Sequence, residues 1–289
     1  MNNSRIGFWG TSLFSVFILE EMKQGGVLPT LIITMPAKPK GRGLLLAPSE
    51  VKVWADRHGI KTIEPTEIKS DEFLEILGPN WELFIIASYG KIIPRRILDL
   101  PARGTLNVHP SLLPKFRGTS PLQSAILEDV PIGSTNETGV TIMQIDEEVD
   151  HGPIVAQEKV LVENWPPKES ELEEMLGRMG GKLLTKTMPL WLEGKINPHE
   201  QDHSLATYTK KVTKDDACIN LENDPGKSLR KIRAFNVWPR AYFVTRHNNR
   251  DIRVIVTDAK IVEGKLIPLR VIPESKNEMS YDEFLRGQK

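Results

Sequence analysis

Cysteine is nearly missing: Cys218 is the only one in 289 residues. That excludes an intrachain disulfide and any cluster of thiolate metal ligands. Net charge is missing too, since 38 basic side chains balance 38 acidic ones, so no global field draws the chain to a polyanion. No apolar run reaches membrane-spanning length, and Met1 to Arg5 are mostly polar. A cytosolic protein with no membrane partner is the expectation. Internal repeats and low-complexity tracts are not found. The early glycines of Gly7-Phe8-Trp9-Gly10-Thr11 lack the G-x-G-x-x-G spacing, and no acidic residue closes the next strand-like run, Leu31–Thr34. A dinucleotide site is therefore set aside in favour of a tight strand-to-helix turn that lets backbone approach a substrate.

What is present fits two ordinary cores, with 39% hydrophobic residues over this length. Charge is spread unevenly. Residues 206–289 hold 17 Lys and Arg against 11 Asp and Glu, which leaves 21 against 27 for the rest. A basic C-terminal third is a modest pointer to polyanion contact.

Apolar runs at Ile6–Trp9, Leu31–Thr34, Leu83–Ala87 and Leu106–His109 read as buried parallel strands. Helical periodicity follows at Phe14–Met22, Ser49–Arg57, Ser70–Leu77 and Pro121–Leu127, with Ser49 as a cap. The alternation predicts an α/β, Rossmann-like, doubly wound and mostly parallel sheet, with ligands at the carboxyl ends of its strands. Val140–Ile145 and Ile154–Val162 add strands. Ser170–Met188 reads as a long helix opened by a Ser170–Glu173 capping box. Residues 196–207 are polar and carry a proline, as a solvated linker would. Beyond them the pattern shortens to strands at Ala241–Val244, Arg253–Ala259, Lys260–Val262 and Leu266–Arg270 around one helix, Pro225–Phe235.

Chemistry concentrates in three places. In an extended segment residues two apart share a face, so Asn107 and His109 point into one space. A Ser-Leu-Leu-Pro turn follows them, and a second polar loop bearing Asp150 lies after another strand. A donor amide, an imidazole and a carboxylate together suit acyl transfer to an amine. Lys38-Pro39-Lys40-Gly41-Arg42-Gly43 sets three cations in five residues and suits phosphate contact, or is merely an exposed loop. His199-Glu200-Gln201-Asp202-His203 matches the zinc pattern H-E-x-x-H literally. Its polar surroundings lack the apolar helix face that a zinc site needs, so no metal is expected.

These blocks resemble the folate-dependent formyltransferases, and most closely the methionyl-tRNA formyltransferases. The similarity runs through Ile6–Thr11, Pro39–Gly43, Pro48–Lys52, Ala87–Pro94, Asn107–Gly118 and Thr138–Asp146, then Ala206–Lys211 and Arg233–Pro239. The resemblance implies a catalytic domain over residues 1–195, a linker at 196–207 and a small OB-like β-barrel at 208–289 that helps bind tRNA. It implies Asn107, His109 and Asp150 as the catalytic trio. Ser111, Leu112, Leu113 and Pro114 would line the folate site, with Tyr89, Gly90 and Ile92 framing its pteridine end. Lys38, Lys40 and Arg42 would reach the tRNA. The implied co-substrate is 10-formyltetrahydrofolate and the implied acceptor is methionyl-initiator tRNA, with no metal and no obligate protein partner. A formyltransferase acting on an amino-sugar nucleotide or another small amine is the alternative. Two departures stand out: Asp129–Glu137 is longer than usual, and Val149-Asp150-His151-Gly152-Pro153 replaces the more familiar Leu-Asp-Thr-Gly-Asp.

Overall fold

The computed structural model describes residues 5–40, 45–247 and 250–287. The elements run in chain order β1 (Ile6–Gly10), α1 (Leu13–Gln24), β2 (Leu31–Ile33), β3 (Lys38–Lys40), β4 (Leu45–Ala47), α2 (Glu50–Arg57), β5 (Thr62–Ile63), α3 (Asp71–Leu77), β6 (Leu83–Ala87), α4 (Arg95–Leu98) and β7 (Thr105–His109). There follow α5 (Pro121–Leu127), β8 (Asn136–Gln144), β9 (Ile154–Val162), α6 (Glu169–Leu192), α7 (Pro225–Ala234), β10 (Tyr242–His247), β11 (Arg250–Val262), β12 (Lys265–Pro273), β13 (Met279–Ser280) and α8 (Tyr281–Arg286). Two compact units result: residues 1–117, 139–159 and 173–208, and residues 118–138, 160–172 and 209–289.

In the first unit the strands line up as β5-β2-β1-β6-β7-β8-β9. Pairing is parallel from β5 to β7 and antiparallel between β7 and β8. The chain winds outward from β1 through β2 to β5, then returns to β6 on the other side. The crevice where the winding direction changes, at the carboxyl ends of β1 and β6, is where such sheets bind ligands. Apolar residues fill every position of β1 and β6 because both faces are covered. Trp9 anchors one of these faces, edge-on to Tyr89 at 5.2 Å, Phe84 at 5.7 Å and Phe73 at 6.1 Å between ring centres.

Ser49 and Ser70 accept the capping bonds from Lys52 and Phe73, as their positions imply. The box expected at the start of α6 is not formed. The helix begins at Glu169, and the Glu173 carboxylate instead accepts from the Phe14 N–H at the open end of α1. An uncapped helix N-terminus has orphan N–H groups, and a carboxylate from a distant helix satisfies one of them here. Gly10 has a packing role. A Cβ there would come within 2.7 Å of Phe8 and Ser15, so the glycine is also required by helix-on-strand packing.

The second unit has a four-stranded antiparallel sheet in the order β10-β11-β12-β13. Its core gathers Leu229 and Ile232 of α7, Phe243, Val254, Val256, Val271 and Phe284. The two strands expected at 253–262 are one strand, β11, whose irregular register near Val256–Ala259 accommodates the break in alternation. The helix α8 was not anticipated, although Ser280 and Glu283 form a complete capping box.

Candidate active site

Strand β7 places the polar pair. Asn107 lies opposite Met143 and His109 opposite Thr141 on β8. His109 is almost wholly buried, and its Nε2 lies 3.0 Å from the Phe116 carbonyl oxygen. A carbonyl only accepts, so Nε2 carries a proton and Nδ1 is the nitrogen left to face the site. Nδ1 faces the Asp150 carboxylate at 3.7 Å. The Asn107 amide donates to the same carboxylate oxygen at 3.3 Å. The three residues, two from one strand and one from a loop, therefore converge on one point. Asp150 adopts φ of 50°, a left-handed conformation that costs a non-glycine residue about 1–2 kcal/mol and must be held by its surroundings.

Beside this point opens a cavity of about 510 Å³ at the carboxyl ends of β6 and β7. Ile86, Tyr89, Ile92, Ile93, Leu98, Met143 and Ile145 give it apolar walls, and Asn107 and Asp150 are among its polar lining residues. Such a slot, apolar with a few convergent polar groups, suits a flat heteroaromatic ring. Tyr89, Gly90 and Ile92 line it, with Ile92 87% exposed at the mouth. The Tyr89 ring is buried, and burial pushes its hydroxyl up to about 12, so it stays neutral.

Ser111–Pro114 do not line that cavity. Ser111 is buried, its hydroxyl donating to the Lys115 carbonyl, and its own carbonyl accepts from Thr141. The Leu113 N–H donates to that same Thr141 oxygen, and its side chain packs on Met143 and Ile154. The turn thus fixes the segment whose Phe116 carbonyl orients His109. Other lining residues escaped the sequence reading: Ser88, Pro94 and Arg95 after β6, and Asp146 to Val149 before Asp150. Their only signal was position just beyond strand ends, which no residue type marks.

Lys38 is exposed on β3, which pairs antiparallel with β4. Arg42, and the side chain of Lys40, lie outside the described residues. His199 and His203 do not share a helix face. His199 forms a backbone bridge to Ile154, whereas His203 stacks on His151 at 4.0 Å and accepts from Arg117 through Nδ1. The polarity of 196–207 also has an internal cause, since Gln201 is buried there with its amide bonded on both sides.

Fold and site together define a formyltransferase: the family described as Formyl transferase matches residues 5–188. The methionyl-tRNA formyltransferase of Sulfurihydrogenibium sp. (strain YO3AOP1) is 36% identical, over 95% of this chain and 86% of that relative. The chain belongs to the methionyl-tRNA formyltransferase family. Solved structures share its fold. The methionyl-tRNA formyltransferase from Clostridium thermocellum matches with a TM-score of 0.60 at 17% identity, over 96% of this chain and 100% of that one. An N-formyltransferase from Helicobacter canadensis, solved with folinic acid and dTDP-3-aminofucose, has a TM-score of 0.60 at 17% identity, covering 93% and 94%.

Proposed function

We propose that this chain transfers the formyl group of 10-formyltetrahydrofolate to the α-amine of methionyl-initiator tRNA, in the cytoplasm, for translation initiation. One observation carries the chemistry: Asn107 and His109 both meet the Asp150 carboxylate, and Asn107 and Asp150 line the mostly apolar cavity. The 36% identity over nearly the whole chain supports the acceptor.

In this reading the pteridine occupies the slot beside Tyr89, Gly90 and Ile92, and its formyl carbon meets the trio. The amine attacks that carbon, and the carbonyl electron pair moves to oxygen. The Asn107 N–H and a proton on His109 Nδ1 stabilise the new negative charge, since Nε2 is already committed to Phe116. Asp150 accepts the proton that the amine loses, directly or through water. The tetrahedral intermediate collapses, the carbon–N10 bond breaks, and the folate nitrogen takes up the proton that Asp150 received, directly or through water. The products are tetrahydrofolate and formylmethionyl-tRNA. No step calls for a metal.

We assign residues 1–195 to catalysis, 196–207 to a linker and 208–289 to an OB-like domain that helps bind tRNA. The antiparallel sheet of the second unit and the surplus of basic residues beyond 206 support that assignment. Lys38, Lys40 and Arg42 would meet phosphates of the acceptor stem.

The test is acceptor choice. Radiolabelled formyl transfer is measured on charged initiator tRNA and on an amino-sugar nucleotide, at equal concentration. Transfer to the tRNA alone is expected, and transfer to the sugar alone would overturn the proposal.

A further inference from the structure

Outside the trio and the cavity, one buried amide touches both halves of the site. Gln201 is 4% exposed, and all of its polar capacity is used. Its Nε2 donates to the backbone carbonyls of Asp150 at 3.0 Å and Gly152 at 2.7 Å. Its Oε1 accepts from Arg117 through Nε at 3.2 Å and Nη2 at 2.7 Å. Arg117 is 1% exposed and also donates to His203 Nδ1 at 2.8 Å and the Tyr208 hydroxyl at 3.3 Å. Arg117 directly follows Phe116, whose carbonyl orients the His109 ring. A single carboxamide therefore ties the segment that aims the imidazole to the loop that carries the carboxylate.

We propose that Gln201 is a positioning residue for catalysis, setting the distance between Asp150 and His109 through its bonds to the Asp150 loop and to Arg117. The inference rests on the assignment of Asp150 as the proton acceptor. The physical need is plain. Asp150 is held in a left-handed conformation outside any strand or helix, so no regular ladder satisfies its carbonyl. Two donors from one rigid planar amide satisfy both carbonyls that flank His151. The side chain must be an amide, because it has to donate on one side and accept from a guanidinium on the other. Nothing nearer in sequence supplies this, and the requirement reaches across 51 residues.

The variant Gln201→Glu has nearly the same volume and gives Arg117 a carboxylate partner, so the buried packing is kept. Against the two carbonyls, however, it turns a donor into an acceptor. We expect kcat for formyl transfer to fall by about 10- to 100-fold, the usual effect of a displacement near 1 Å at a reacting group. The KM for 10-formyltetrahydrofolate should change by less than about threefold, because Gln201 does not line the cavity. Arg117→Lys keeps the charge and one donor toward Gln201, so it serves as a second variant, with a loss of about 3- to 10-fold expected.

The deciding readout is the same pair of substitutions in an Asp150→Asn background. If Gln201 acts through Asp150, neither substitution costs further turnover there. If the losses multiply in that background, or if folded Gln201→Glu keeps wild-type kcat, the proposal is overturned. Full activity of Asp150→Asn by itself would instead overturn the catalytic assignment beneath it, which keeps the two failures apart.

Discussion

Gly152→Ala perturbs the site without removing any functional group. A Cβ on Gly152 would run into the backbone carbonyl of Gln144, 3.1 Å from its carbon and closer still to its oxygen, and 3.3 Å from the Asp146 nitrogen. Backbone atoms cannot rotate aside as a side chain does. Gln144 is further held by its N–H, which donates to Pro153 at 2.9 Å, and by its place at the end of β8. The loop must therefore give by about 1 Å to regain ordinary contact. Overpacking of this kind costs about 1–3 kcal/mol, which lowers the melting temperature by a few degrees in a domain of this size. The same shift reaches Asp150 two residues away and strains the Gln201 bond to the Gly152 carbonyl. Misplacement by about 1 Å is worth about 10²-fold in rate. Steady-state formyl transfer, run well below the melting temperature, should show kcat down by that order with KM for folate little moved. Wild-type kcat together with an unchanged melting temperature would refute the steric reasoning.

Ile92→Ala should raise the KM for 10-formyltetrahydrofolate several-fold with kcat and melting temperature nearly unchanged, because Ile92 is exposed at the cavity mouth and buries apolar surface only against a bound ring; an unchanged KM would remove that wall from the folate site. Arg42→Ala should raise the apparent constant for charged tRNA, and tRNA binding should weaken steeply with salt as phosphate counterions are released. An acceptor constant indifferent to both would point to a small amine instead. Burial raises the Glu173 carboxyl above its ordinary value, outweighing the bond from Phe14. A raised carboxyl favours the folded state below the unfolded pKa, and that contribution is lost as pH rises through the folded value. Glu173→Gln should therefore gain stability relative to the parent as pH rises above the ordinary carboxyl range, read as a growing difference in melting temperature. A difference independent of pH would contradict this.

The parallel strands were legible because residues such as Ile6, Phe8, Ile85 and Ile86 have to be apolar when both faces of a sheet are covered. Asn107 and His109 were legible for a related reason: polar residues at alternate positions near the end of such a run have no packing role to explain them. Gln201 was invisible. Its neighbours Glu200 and Asp202 are as polar as it is, and nothing in a polar stretch tells a buried hydrogen-bonding amide from a solvated one. The Ser170–Glu173 pairing failed because spacing alone cannot show that a distant N–H, that of Phe14, competes for the carboxylate. The cavity residues Ser88, Arg95 and Glu147 were missed because a wall is a property of the fold, assembled from loops of mixed composition. Ser111–Pro114 were expected at the folate site, whereas their contacts run to Thr141, Lys115 and the core.

The most direct measurement is the single-turnover rate of formyl transfer from 10-formyltetrahydrofolate to charged initiator tRNA, with enzyme in excess, for the wild type, His109→Asn and Asp150→Asn. Excess enzyme isolates the chemical step from product release. The account predicts formylmethionyl-tRNA in the wild type, and a fall of at least about 10²-fold in each variant with folate binding retained. Near-wild-type rates in both variants, or no formyl group on the tRNA with any of the three proteins, would contradict it.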